Sequence, residues 1–413
     1  QTHRLRHQMV LHLQPAVCAE RTGNLLIRRR ELHARDGFVM VALSWILISL
    51  VGAIPFTVSG AIPSYLDAVF ETMSGFTTTG ASILRAVEDL PKCLLFWRSF
   101  THWLGGMGVL VFMLAIVPLS GESIYLLRAE SPGPSVSKMV PKMRTSAAIL
   151  YAIYCAMTLL QILFYRLGVL FGWGEMTWFD SLCLAFGTAG TGGFSVRNSG
   201  LADYSAYLQA VTTVFMVLFG VNFSVYFFLL RRRFRLAWHN SEVRWYFIII
   251  FGAIVLISAN LLLTGGFFPT VFQTIHHVAF SVGSVITTTG FGTADFAKWP
   301  EFSKTVLLIL MAIGACAGST GGGMKVSRVL ILAKTARAET RHLLHPHSVE
   351  VMTMDGKRVS NEVIRGTMAF FICYAAIAVV SILLVSLDNF GAETSVTSVF
   401  ATLNNIGPGL SLE

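Results

Sequence analysis

Four short runs rich in Thr and Gly interrupt an otherwise apolar chain. They read Ser74-Gly-Phe-Thr-Thr-Thr-Gly-Ala-Ser82, Gly190-Thr-Gly-Gly-Phe-Ser195, Thr287-Thr-Thr-Gly-Phe-Gly292 and Leu403-Asn-Asn-Ile-Gly-Pro-Gly409. No His/Cys/Asp cluster at metal-ligand spacing and no nucleophile elbow accompanies them, so the sequence offers an enzyme no machinery. What the runs offer is backbone. Consecutive carbonyl oxygens, with a glycine free to take positive φ, aim at one axis and replace the water shell of a dehydrated alkali cation. The candidate ligands are Thr78, Thr79 and Gly80, then Thr191, Gly192 and Gly193, then Thr288, Thr289 and Gly290, and finally Asn405, Ile406 and Gly407. A single Thr-Thr-Thr-Gly is ordinarily a turn, but four in matching surroundings predict a ring.

The surroundings do match. Each run follows a semi-apolar stretch of about 12 residues, beginning near Tyr65, Trp178, His276 and Ser395. Such a stretch is too short to cross a hydrocarbon core of ~30 Å, so it predicts a re-entrant helix that returns through the following loop. Irregular backbone survives at that depth only against a cavity or other protein. The C-terminal ends of four such helices also direct negative dipole ends at a cation, without any ring of carboxylates. Asp67 and Asp180 each precede their glycine by 13 residues, and the four glycines are 113, 97 and 117 residues apart.

Composition sets the environment for these loops. Of 413 residues, 54% are apolar and only 13% charged, too few charges to clothe a water-facing surface. Runs of spanning length occur at Phe38–Ser59, Leu94–Leu119, Ser146–Phe171, Tyr207–Leu230, Trp245–Thr264, Phe302–Ala317 and Thr367–Leu387. The net charge of +9 is a topology signal, not a nucleic-acid footprint. Segments 1–37, 120–146, 231–244 and 325–366 carry 24 of the 31 Lys and Arg, which places them in the cytoplasm. The other seven, Arg85, Lys92, Arg98, Arg166, Arg197, Lys298 and Lys304, fall on the opposite side. Residues 1–37 lack the apolar core of a signal peptide. The six scattered cysteines read as small buried hydrophobes.

The fold class expected is therefore an all-α polytopic membrane protein. It has four parallel span, pore-helix, filter-loop and span repeats around a central pore, the fourth incomplete. A basic N-terminal segment, 1–37, is followed by repeats at 38–120, 145–235, 245–340 and 366–413, the last ending after its loop. The main rival is a broken-helix secondary transporter of another class, a cation-coupled symporter. Such carriers commonly show two inverted repeats, not four parallel ones.

The third repeat carries a second irregularity. Its last span meets Gly314-Ala-Cys-Ala-Gly-Ser-Thr-Gly-Gly-Gly323, then Lys325 and Arg328, before a helical pattern resumes through Leu332. Five glycines in ten residues break a helix, each costing about 1 kcal/mol relative to Ala. Gly318–Gly323 imitates the start of a phosphate loop, but Met324 separates Gly323 from Lys325 and no strand precedes it. A close-packing patch for a neighbouring helix is the stronger rival.

Together the quoted runs, with Arg128-Ala-Glu and Pro132-Gly-Pro134 after the first repeat, resemble the potassium uptake subunits of the Trk/Ktr/HKT superfamily, the TrkH branch most closely. The resemblance covers roughly residues 35–413. It implies K⁺ as the transported ion, no organic cofactor, and filter glycines at Gly80, Gly193, Gly290 and Gly407. It also implies a bacterial inner-membrane location among lipids, a homodimer, and a cytosolic nucleotide-binding regulatory ring similar to TrkA as partner. Sodium-conducting members of the superfamily carry a serine in the first loop, where this chain has Gly80. Gly318, Ser319, Thr320, Gly321, Gly322 and Gly323, with Lys325 at the cytoplasmic end, correspond to an intramembrane loop that obstructs the pore. Against the family pattern, the usual pair of helices ahead of the first repeat has no counterpart in Gln1–Arg35. The sequence stops at Glu413, before the last pore-lining helix and the arginine that faces the gate loop.

Other polar residues receive structural assignments. Asp67 and Asp180 are expected to cap the short helices. Glu71 is expected to hydrogen-bond behind the first loop, and Asn222, Asn260 and His102 to bond between helices. His276 and His277 read as satisfied structural histidines in preference to a proton site.

Overall fold

The computed structural model describes residues 34–108, 143–345 and 352–409. Four long helices, α1 (Ala34–Val58), α4 (Met143–Leu170), α9 (Ser241–Thr264) and α13 (Asn361–Ser386), contain stretches apolar and long enough to cross a membrane. Each stands first in its unit. On α13 only Thr367 and Ala378 are buried, whereas Ile372, Val379 and Leu383 are more than half exposed. An apolar face of that size is a liability in water and a lipid-facing wall in a bilayer.

A short helix follows each long one: α2 (Tyr65–Phe76), α5 (Trp178–Gly190), α10 (Val271–Ile286) and α14 (Ala392–Leu403). Their first turns show why they start where they do. Ser64, Thr177 and Thr270 are the N-caps, and their hydroxyls accept from the backbone N–H of Asp67, Asp180 and Gln273. The cap assignment to the two aspartates is thus corrected. They sit three positions inside the helix, where a carboxylate meets the positive dipole end, and the smaller Ser or Thr at the boundary reaches the free N–H groups. α10 is longer than the stretch expected from the sequence because its cap lies upstream of the histidines.

The helix after the loop is interrupted in the second and third units. α3 (Lys92–Gly106) ends at paired glycines, and the rest of the Leu94–Leu119 run, with the Arg128 and Pro132 motifs, lies outside the described residues. The run Tyr207–Leu230, expected as one span, is two helices, α6 (Ala206–Phe219) and α7 (Phe223–Leu230), at 92° to each other. Gly220 closes α6 and the Asn222 side chain accepts from Ser224 N–H at 2.9 Å to start α7, so Asn222 is a cap and not an interhelical tie. In the third unit α11 (Glu301–Ile313) stops short of Ala317, and α12 (Val326–Leu344) starts at Val326 and continues well past Leu332.

Between α7 and α9 lies the short α8 (Phe234–Trp238). A two-residue hairpin, β1 (Thr353–Met354) with β2 (Lys357–Arg358), turns through Asp355-Gly356, both at positive φ. Asp355 accepts from Ser241 N–H at 2.7 Å, fastening the hairpin to the start of α9.

Packing sets the order of the units. Each long helix lies on its own short helix: α1 on α2, α4 on α5, α9 on α10 and α13 on α14. In the first three units the helix after the loop lies on the short helix of the next unit: α3 on α5, α6 on α10 and α11 on α14. The succession runs in one direction, first to second to third to fourth. Of the cysteines, Cys183 and Cys316 are buried as expected, but Cys93 and Cys373 are exposed on outward-facing helix surfaces.

Candidate functional site

The four loops leave their short helices by one shared set of hydrogen bonds. Thr79 N–H donates to Ser74 O at 2.9 Å, Gly192 to Gly187 O at 2.9 Å, Thr289 to Ser284 O at 2.8 Å and Ile406 to Ala401 O at 2.7 Å. The preceding residue donates three back in every case, from Thr78, Thr191, Thr288 and Asn405. Those same four residues are left-handed, with φ of 59°, 53°, 58° and 56°, and the glycines two positions on have φ of 78°, 80°, 83° and 93°. Three of the four left-handed residues are β-branched threonines, a conformation that costs on the order of 1–3 kcal/mol and persists only where the surroundings impose it. Positive φ thus recurs at alternate residues in all four loops.

The glycines close a ring. A Cβ built on Gly80 would overlap the Gly192 carbonyl oxygen, one on Gly193 that of Thr289, and one on Gly290 that of Ile406. One on Gly407 would lie 2.8 Å from the Thr79 oxygen. Each glycine therefore faces the carbonyl that precedes the next glycine, and the fourth returns to the first. Polar side chains brace the closure, with Thr79 donating its hydroxyl to Asn405 Oδ1 at 3.0 Å. The Thr77 and Thr79 hydroxyls are 2.8 Å apart, as the equivalent Thr287 and Thr289 hydroxyls are at 2.7 Å.

Behind the first loop Glu71 is fully buried and fully used. Its carboxylate accepts from the Ser82 hydroxyl at 2.9 Å, Ile83 N–H at 3.1 Å and Arg98 Nε at 2.6 Å. Arg98, counted from the sequence as an external charge, is only 4% exposed. It also donates to Ser195 O at 2.9 Å and lies over the Phe194 ring at 3.5 Å. No spacing rule pairs residues 71 and 98, so sequence reasoning missed it. His102 stacks on Phe194 at 4.1 Å with Nδ1 3.5 Å from Phe194 N–H, and Asn260 accepts from Ser303 at 2.8 Å between α9 and α11. His276 and His277 have neutral partners, Gln209 at 2.8 Å and Thr293 at 3.0 Å.

The glycine-rich segment 314–323 lies under the ring, on its pore-helix side. Gly322 N–H donates to the Thr288 hydroxyl at 2.6 Å, and Gly321 and Gly322 pack against the Thr287 and Asn404 carbonyls. Gly318 O accepts from Phe223 N–H at 2.9 Å, and Cys316 N–H donates to Gly220 O at 3.1 Å across the bend of the second unit. Lys325, 2% exposed and itself at φ 81°, donates its ammonium to the Gly321 carbonyl. Glu242 of α9 accepts from Ala317 N–H at 2.6 Å and Ser327 N–H at 3.1 Å, holding both ends. The segment follows a helix, not a strand, so no phosphate-loop architecture surrounds it.

Four helices long and apolar enough to span a membrane, each followed by a short helix whose loop closes on the next, define a multi-pass membrane protein. The chain belongs to the TrkH family: the family model described as "Cation transport protein" matches residues 7–412. It is 35% identical over 387 residues to the Trk system potassium uptake protein TrkH of Halomonas elongata, covering 92% of this chain and 79% of that one. Identity to the Vibrio parahaemolyticus protein of the same name is 36% over 389 residues, with the same coverages. To the Escherichia coli Trk system potassium uptake protein TrkG it is 32% over 384 residues, covering 92% and 78%. The crystal structure of the potassium transporter TrkH from Vibrio parahaemolyticus superposes with a TM-score of 0.80 at 33% identity, covering 92% of this chain and 78% of that one.

Proposed function

We propose that the protein takes up K⁺ across the inner membrane through the ring formed by Thr78–Gly80, Thr191–Gly193, Thr288–Gly290 and Asn405–Gly407. The observation that carries this reading is the closure of the ring, in which every glycine faces the carbonyl before the next glycine. Carbonyls so placed pay the dehydration cost of a large alkali cation. Four units succeeding one another in the same direction favour a central pore over an alternating-access carrier with inverted repeats. The functional units are 38–120, 145–235, 245–340 and 366–413, and Gly318–Gly323 with Lys325 obstructs the path beneath the ring. Assembly as a homodimer, with a cytosolic nucleotide-binding ring as regulator, completes the proposal and accords with relatives named as parts of a Trk system.

The test is Gly80→Ser. A side chain there meets the Gly192 carbonyl oxygen and forces an L residue to φ 78°, costing about 1–2 kcal/mol for the backbone alone. Rb⁺ uptake should become more sensitive to competing Na⁺. Unchanged competition in a variant that accumulates normally removes the ring from ion selection.

A further inference from the structure

Among the described residues, Glu71–Arg98 is the ion pair with both partners buried; the remaining pairs join Lys298 and Lys304 to partly or largely exposed carboxylates. Nothing in the backbone ring itself requires it. It occurs once: the positions nine residues ahead of the other three glycines hold Leu184, Ser281 and Ser398 where the first unit has Glu71. The pair therefore breaks the pseudo-symmetry of the four units, and it does so at the outer edge of the loops.

Its partners are what give it a role. The Ser82 hydroxyl, which donates to Glu71, lies two residues past Gly80, and the Ser195 carbonyl, which accepts from Arg98, lies two residues past Gly193. One ion pair thus grips equivalent positions of two adjacent loops. Arg98 also covers the face of Phe194, the residue directly after Gly193, while His102 stacks on that ring at 4.1 Å. Where the second unit meets the third, the corresponding tie is a backbone bond, Leu201 N–H to Gly292 O at 3.0 Å, again two residues past the glycine. The planar guanidinium has donors in a fixed fork, so it reaches Glu71 and Ser195 O together and sets the distance between them.

Resting on the reading of the ring as a K⁺ filter, we propose that Arg98, held by Glu71, is a positioning residue for ion selection: it locks the outer arms of the first and second loops at one height. The carbonyls of Gly80 and Gly193 then keep the spacing that suits K⁺ and do not close on the smaller Na⁺. Arg98 touches no ion itself and acts through Ser195, Phe194 and the Glu71-bound arm Ser82–Ile83.

Three variants test this, with Gly80→Ser alongside. Arg98→Lys keeps a cation near Glu71 but lacks the fork that spans to Ser195 O. Glu71→Gln keeps an acceptor for Ile83 N–H and removes the charge that holds Arg98. Ser82→Ala, at an exposed position, removes only one hydroxyl and leaves the buried pair intact, so it accumulates and decides the matter if the other two do not fold. For each, the Na⁺ concentration that halves Rb⁺ uptake is measured against maximal Rb⁺ uptake per molecule and the melting temperature. The expected result is that this Na⁺ concentration falls on the order of tenfold in Arg98→Lys and Glu71→Gln, and on the order of threefold in Ser82→Ala. In Ser82→Ala the shift should occur at a melting temperature near that of the parent, whereas Arg98→Lys and Glu71→Gln disturb a buried pair and are read on the protein that folds. A merely structural pair would lower melting temperature and yield without moving the Na⁺ competition of the protein that remains. If Gly80→Ser shifts the competition while the folded variants of this set do not, the positioning role is overturned and the filter reading stands. If Gly80→Ser leaves it unshifted as well, both are overturned.

Discussion

Replacing Lys325 by Met tests whether the segment under the ring is an obstruction held by a single side chain. The substitution keeps an unbranched apolar stem of similar length and deletes the ammonium, which is buried and donates to the Gly321 carbonyl. A hydrogen bond from a charged donor contributes about 1.5–3 kcal/mol, and losing it leaves the Gly321 oxygen buried without that partner. That energy shifts the balance between seated and displaced loop by about 10- to 150-fold. A loop seated on the order of 100 times more often than displaced would become displaced roughly a tenth to three-fifths of the time. The loop keeps its remaining ties, Gly322 to Thr288 and Glu242 to Ala317 and Ser327, so the protein should fold. Removing a buried positive charge from beside the proposed cation path acts in the same direction. Rb⁺ flux into proteoliposomes at matched protein amounts should therefore rise at least severalfold in Lys325→Met, with Lys325→Arg remaining nearer the parent. Flux at or below the parent value in a Lys325→Met protein with unchanged melting temperature would refute the obstruction, leaving the glycines a packing role.

Deleting Ser319–Gly322 should raise Rb⁺ or K⁺ flux in the same assay at near-normal expression, whereas a packing patch so shortened would cost stability and lower the flux. Gly106→Val should lower the melting temperature, because a Cβ there lies 2.5 Å from Gly190 Cα and 3.0 Å from the Tyr154 hydroxyl, and overpacking costs about 1–3 kcal/mol. Gly252→Ala, where a Cβ meets nothing within 4 Å, should be neutral or stabilising and serves as its control.

The repeated parts were legible in the sequence because they recur. Three threonines before a glycine say little once, but short helices ending a fixed distance before four glycines leave few architectures. The break after Ile313 was legible too, since five glycines in ten residues outweigh an apolar context. The 92° bend at Gly220 was not: one glycine and one asparagine sit within Tyr207–Leu230, and their apolar neighbours satisfy the criterion for a continuous span. The capping boundary was misplaced because a carboxylate in the first helical turn and a hydroxyl at the cap both serve free N–H groups, and only the backbone tells them apart. Arg98 illustrates the limit of counting charges by side, a procedure that treats every arginine as solvated. The residue that escapes it is the one whose partners come from α2 and from the second loop, contacts that exist only once the chain has closed on itself.

The interrupted helices give the protein a particular mechanical character. A continuous inner helix would work as a stiff lever, and any push on its cytoplasmic half would reach the ring undiminished. Here α6 and α7 meet at a right-angled corner, and α11 is joined to α12 by a coil of twelve residues, Gly314–Lys325. Both are breaks in the backbone hydrogen-bond ladder that would otherwise carry one helix stiffly into the next. Displacement entering at α7 or α12 meets these breaks before it meets the ring. With that coil as the proposed obstruction, flow is throttled over a short stroke while the spacing of the ring stays fixed.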